Sequence, residues 1–135
     1  MVTMDTEGDK SEAKFTQVHA LRPGTSGHNL HVKVVSSRPV VNRSNGAGTK
    51  IRVNECVVGD NSGIVVFTAK NDQVDKMTKG KTLTLRNAKI EMYRGCVRLV
   101  VDKWGLVEEA SEDLDIQPKE DNNLSEVEYE LLTIP

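Results

Sequence analysis

The feature that most constrains this chain is a succession of short stretches in which apolar and polar residues alternate, each closed by turn chemistry. Alternation of this period marks a strand with one buried face. "NLHVKVVSS" sets Leu30, Val32 and Val34 on one face and His31, Lys33 and Val35 on the other. "RPVVNRSNGAGTK" then reads as a long, turn-rich connection. "KIRVNECVVGD" is expected to turn Ile51 and Val53 inward and Arg52 and Asn54 outward. A bulge at Glu55 would hand the inner face to Cys56 and Val58. "GDNSG" is dense turn chemistry and predicts a tight hairpin into "IVVFTAK", with Val65, Phe67 and Ala69 inward. In "NDQVDKMTKG", Asn71 or Asp72 can cap a short helix, Val74 and Met77 form its buried stripe, and Gly80 ends it. "KTLTLRNAKIEMY" buries Leu83 and Leu85 and slips in phase near Asn87. Ala88, Ile90 and Met92 then face inward, with Thr84, Arg86, Lys89, Glu91 and Tyr93 outside. "CVRLVVDKWGLV" closes with Val97, Leu99 and Val101 inward and Arg98 outward.

The order strand, strand, strand, short helix, strand, strand predicts an all-β domain. It fits a five-stranded Greek-key barrel of the OB type, with the short helix between strands 3 and 4. An SH3-like barrel, the alternative, lacks that helix. Residues 15–107 form the expected OB-fold domain. Residues 1–14 are polar and without period, so they read as a disordered N-terminal segment. Residues 108–135 read as an acidic C-terminal tail, mostly disordered. Its end, "LSEVEYELLTIP", has Leu124, Val127, Leu131 and Leu132 at roughly helical spacing. That end reads either as a docked terminal helix or as a peptide motif for a partner.

A net charge of −2 conceals a strong asymmetry. Residues 15–107 carry 15 Lys and Arg against 6 Asp and Glu, whereas residues 108–135 carry 10 acids and one lysine. A basic body points to a polyanionic partner, and an acidic tail to a separate role. The opening "MVTMDTEGDK" has neither a basic nor an apolar run, so no signal peptide is expected, and no stretch is apolar enough for a membrane span. Cys56 and Cys96 lie too far apart in sequence for a redox or zinc motif and read as buried thiols of an intracellular protein, nuclear or cytoplasmic. His19, His28 and His31 stand without an acid or thiol at a ligand or catalytic spacing. "NGAGTK" departs from the phosphate-loop pattern because Ile51 follows Lys50. No enzyme activity, metal or cofactor is expected.

Binding a single strand needs cations along the backbone path and flat rings on which bases stack. Tyr93 is the candidate ring, at the tip of the hairpin "KIEMYRGCVRLVV" beside Arg94. Arg98, Arg86 and Lys89 are the outward cations around it, and Lys33 and His31 face outward on the first strand. Arg38, Arg43 and Lys50 lie in or beside the long first connection. Arg52 and Lys70 complete the candidate nucleic-acid-binding set. Trp104 is read first as an apolar plug at one end of the barrel, with base stacking as the alternative. Phe67 reads as core, and Phe15 as packing for the lead-in segment.

"VHALRPGTSGHNLHVKVV", "VVGDNSGIVVFTAKND", "KGKTLTL" and "KIEMYRGCVRLV" resemble the single-domain OB-fold single-stranded DNA-binding proteins of eukaryotes and archaea. That family includes the B subunit of the human sensor of single-stranded DNA complex. The chain also resembles small uncharacterised plant OB-fold proteins. The resemblance covers about Phe15 to Val107 and implies binding of single-stranded DNA or RNA through aromatic and basic residues. Tyr93 matches the family's aromatic at the hairpin tip. The aromatic that ends the family's third strand is Lys70 here, and the one on its last strand is Val100. With two platforms missing, binding is expected to be weaker and more charge-driven. An OB adaptor that docks into a larger complex, through its face or its acidic tail, is the alternative.

Overall fold

The computed structural model describes residues 14–44, 46–110 and 114–130. The expected disorder of residues 1–14 thus falls almost wholly outside the described residues. Six strands form one sheet: β1 His28–Ser44, β2 Lys50–Asp60, β3 Gly63–Lys70, β4 Thr82–Tyr93, β5 Cys96–Val100 and β6 Leu106–Glu109. Their order is β1-β2-β3-β5-β4-β6, and β1 also pairs with β4, which closes the expected five-stranded Greek-key barrel. The core holds Leu30, Val32, Val58, Val65, Phe67, Leu83, Leu85 and Leu99, all without solvent exposure. Burying each such side chain stabilises the fold by roughly 1.5–3 kcal/mol relative to leaving it in water.

Several expectations are corrected. The long first connection is mostly strand, because β1 runs to Ser44. The bulges lie on β1, at Val35 and Val40, rather than at Glu55, since β2 pairs with β3 without a shift. A bulge bends a strand and sharpens its twist. Here the two bulges let β1 pair first with β4 and then with β2. They also explain why Pro39 is tolerated next to one of them. With β2 unbulged, Ile51, Val53 and Glu55 share the outer face, so Ile51 is exposed and Val53 only half-buried. The short helix Asn71–Lys76 is present as a 3₁₀ turn, with Met77 buried and Val74 packed against the core. The phase slip in β4 is real: Asn87 has φ 56°, and Leu85 and Ala88 are both buried. Thr84 is buried and Met92 exposed, against expectation. Cys56 is a buried free thiol, but Cys96 is only half-buried.

The acidic segment departs furthest from its reading. β6 runs across the expected domain boundary at Val107 and pairs with β4. Residues 119–129 then lie along the seam between β3 and β5, where those strands share a single parallel pairing, Phe67 with Leu99. Backbone groups that the seam leaves unpaired are taken up there. Ile64 N donates to Asn122 O at 2.8 Å, and Tyr129 N to Gly95 O at 2.7 Å. Ser125 Oγ accepts from Val66 N at 2.9 Å and donates to Val97 O at 2.7 Å. Leu124 and Ile116 are buried. Buried N–H and C=O groups need partners, and this requirement outweighs the polar composition. Of the two readings of "LSEVEYELLTIP", a docked helix or a partner motif, the described part shows as helix only the 3₁₀ turn Leu124–Glu126, with Val127 exposed. Leu131 and Leu132 fall outside the described residues.

Candidate functional site

The β4–β5 hairpin turns through Arg94 (φ 52°) and Gly95 (φ 84°). Two central residues with positive φ define the type I′ turn that matches strand twist. The turn fixes the Tyr93 ring at the hairpin's end, where the residue is 48% exposed. The Arg98 guanidinium lies 4.4 Å from the ring centroid, and that of Arg94 5.3 Å. Arg98 is itself held by Glu55 at 2.7 Å, and Glu55 also binds Arg38. Arg98 first, by its hydrogen bond, and then the charges of Arg98 and Arg38 hold the Glu55 carboxyl below its usual range. A carboxylate therefore orients a guanidinium, and the guanidinium supports a ring.

This ladder forms one side of a groove of about 440 Å³ lined by Val40, Val53, Glu55, Thr68, Lys70, Glu91, Met92, Tyr93 and Arg98. The register explains the grouping. Val53 pairs with Lys70, Glu55 with Thr68, and Glu91 with Arg98, and cross-strand partners share a face. Its lining joins the apolar Val40, Val53 and Met92 to side chains of both signs of charge.

Of the expected binding residues, Tyr93, Arg98 and Lys70 meet in the groove. Arg94 stands at its tip, and Arg38 reaches it through Glu55. Arg43 and Lys50 are exposed near the free end of the β1–β2 hairpin. Arg52 is turned away: it grips Asp75 at 2.9 and 3.1 Å and the Asn71 carbonyl at 3.0 Å. Lys89 pairs with Asp102 at 3.2 Å. Lys33 sits on β1 opposite Thr82 and Gly59, and lines no part of the groove. His31 and Arg86 lie elsewhere. Phe15 stacks on His31, centroids 4.0 Å apart, and Arg86 lies 5.8 Å from the Phe15 ring and 2.9 Å from Glu108. These residues border two other clefts that share no lining residue with the groove. Phe15 thus packs the lead-in, as expected. Trp104 does not plug the barrel: it is 74% exposed.

Val40, Val53, Glu55, Thr68, Glu91 and Met92 are groove residues that the binding set omitted. An unbroken alternation along β2 is the signal that would have placed Val53 and Glu55 together. Among the described residues, no group of His, Cys, Asp and Glu is arranged to hold a metal ion. No helix among them is long and apolar enough to cross a membrane.

A closed Greek-key barrel with a groove across β2, β3 and the β4–β5 hairpin defines an OB-fold protein of the kind that presents a ring and cations on one face. The chain belongs to the family described as single-stranded DNA binding protein Ssb-like, OB fold, which matches residues 21–109. An uncharacterized Arabidopsis thaliana protein is 44% identical over 142 residues, covering 98% of this chain and 92% of its own, in keeping with the plant resemblance. The solution structure of a hypothetical Arabidopsis thaliana protein superposes with a TM-score of 0.75 at 45% identity, over 90% of this chain and 89% of that one. A chain of a replication protein A heterotrimer bound to single-stranded DNA shares the fold, with a TM-score of 0.59 at 16% identity. The match covers 77% of this chain and 26% of that one.

Proposed function

We propose that this protein is a binding module for single-stranded DNA or RNA, without catalytic activity of its own. The observation that carries the reading is the half-exposed Tyr93 ring, held over Arg98 at the side of an open groove. A base stacks on Tyr93, Arg94 and Lys70 meet the phosphates beside it, and Arg38, Arg43 and Lys50 on the β1–β2 hairpin attract the strand. Glu55 and Glu91 keep the groove from being uniformly cationic. The ring therefore contributes affinity that charge alone does not. Family membership and the replication protein A likeness support the choice of ligand class. The protein works inside the cell, in nucleus or cytoplasm, and its acidic segment serves a protein partner.

Fluorescence anisotropy with labelled single-stranded DNA, single-stranded RNA and duplex, at two salt concentrations, tests the reading. Single strands should win, affinity should fall as salt rises, and Tyr93→Ala should cost about 1–3 kcal/mol. Equal affinity for duplex and single strand with a silent Tyr93→Ala would overturn it. The second reading is a protein-interaction adaptor, favoured by the exposed apolar residues Val40 and Met92 at the groove. Partners that survive nuclease treatment and depend on those two residues would support it.

A further inference from the structure

Trp104 is the only tryptophan of the chain and is 74% exposed. An indole that stands in water offers a large flat face on which a base can stack. Nor is this residue left loose. Asp102 Oδ1 accepts from Trp104 N at 2.9 Å, and Asp102 O accepts from Gly105 N at 3.0 Å. Asn87 Nδ2 donates to Trp104 O at 3.0 Å. Gly105 lies so close to β4 that a Cβ there would stand 2.4 Å from the Arg86 carbonyl oxygen. The turn is thus seated on the kink that Asn87 makes in β4, and the ring is presented from a fixed backbone.

The surroundings say what it is presented to. Lys103 Nζ lies 5.0 Å from the indole centroid. Asp102, whose Oδ1 holds the Trp104 amide, binds Lys89 Nζ through Oδ2 at 3.2 Å. Lys89, Glu91 and Tyr93 alternate on the outward face of β4, with Glu91 and Tyr93 paired to Arg98 and Cys96 of β5. Tyr93 lies four residue steps along the strand from Lys89, about 13 Å at the usual rise. That span is short beside OB-fold sites of roughly 4–16 nucleotides. Lys103 supplies charge for a phosphate, and the indole supplies a face for a base.

We propose that Trp104 is a second base platform for single-stranded nucleic acid, at the far end of the β4 outer face from Tyr93. The proposal rests on the groove reading above and extends it: a strand stacked on Tyr93 continues past Lys89 to Trp104 and Lys103. It replaces on the turn after β5 one of the rings that the strands themselves lack.

Being the only tryptophan, Trp104 reports on itself. Its emission is followed as unlabelled oligothymidylates of about 4 and about 12 nucleotides are added to the full chain. Anisotropy of the same labelled strands measures binding in parallel. The longer strand should change Trp104 emission, and Trp104→Ala should weaken it roughly 5- to 150-fold while leaving the shorter strand's affinity unchanged. Trp104→Phe, which keeps a ring, should recover most of the loss. Binding of the longer strand with unchanged emission and full affinity in Trp104→Ala would overturn this inference and leave the groove reading intact. Failure of both strands to bind would overturn the groove reading and this inference with it.

Discussion

Tyr93 and Phe15 each lie against an arginine that a carboxylate holds in place: Tyr93 on Arg98 and Glu55, Phe15 beside Arg86 and Glu108. The two ladders share their chemistry and differ in what completes them. Phe15 stacks on His31, and its neighbour Thr16 ties the lead-in to β1 through the Asn29 carbonyl at 2.7 Å. Tyr93 stands instead on a type I′ turn at an open groove, with Lys70 and Thr68 across from it. A ring on a guanidinium is thus not in itself a binding site. The two residues are almost equally exposed, at 42% and 48%, and what separates them is what the ring faces: His31 of β1 for Phe15, the groove for Tyr93.

The sharpest way to break that comparison is to delete each ring. Tyr93→Ala should cost about 1–3 kcal/mol of single-strand affinity by anisotropy and change thermal stability little. Phe15→Ala should do the reverse, lowering stability by roughly 1–2 kcal/mol in urea unfolding because its ring is partly buried, with affinity unchanged. Equal losses of affinity in both variants would erase the distinction.

Acid titration separates the ladders more finely. Burial, and after it the charge of Arg86, hold His31 below its ordinary value. The unfolded chain then binds the proton more readily, so stability is full above about pH 6.5 and falls as pH drops below it. His28 is shifted the same way by burial. Glu55 is also lowered, so its contribution is full above about pH 4.3 and is lost only as pH falls through its depressed folded value. Urea midpoints followed from pH 7 to about pH 3 should therefore soften first through the histidines. His31→Gln should reduce the early fall, and Glu55→Gln the late one. The smallest effect is expected from Arg86→Ala: its pair with Glu108 is exposed, so it should cost about 0–1 kcal/mol of stability. Affinity should not change; a clear loss would bring the back ladder into the binding surface.

Much of this arrangement is legible in the chain. The turn at Arg94-Gly95 puts Tyr93 at a hairpin end, and the slip at Asn87 is visible in the shift from Leu85 to Ala88. Val53 and Met92 depart from their expected faces because alternation gives two faces without saying which is inside once a strand outruns the barrel. The plug reading of Trp104 fails because apolar area alone argues for burial, whereas Gly105 and Asn87 pin its turn to the outside. The place of the acidic segment is not legible in the chain, because composition does not record an unpaired seam. Only the single Phe67–Leu99 pairing between β3 and β5 makes Ser125 and Asn122 necessary there.

The sequence by itself determined the barrel, the hairpin that carries Tyr93, the core and the contrast between a basic body and an acidic end. These follow from local periodicity, turn stereochemistry and composition, which need no knowledge of distant neighbours. The tertiary structure decided which cations remain available to a ligand, which of two similar ring ladders faces the groove, and where the acidic segment lies. Those outcomes depend on partners far apart in the chain, such as Glu55 with Arg98 or Val66 with Ser125, and they exist only once closure of the barrel has brought the partners together.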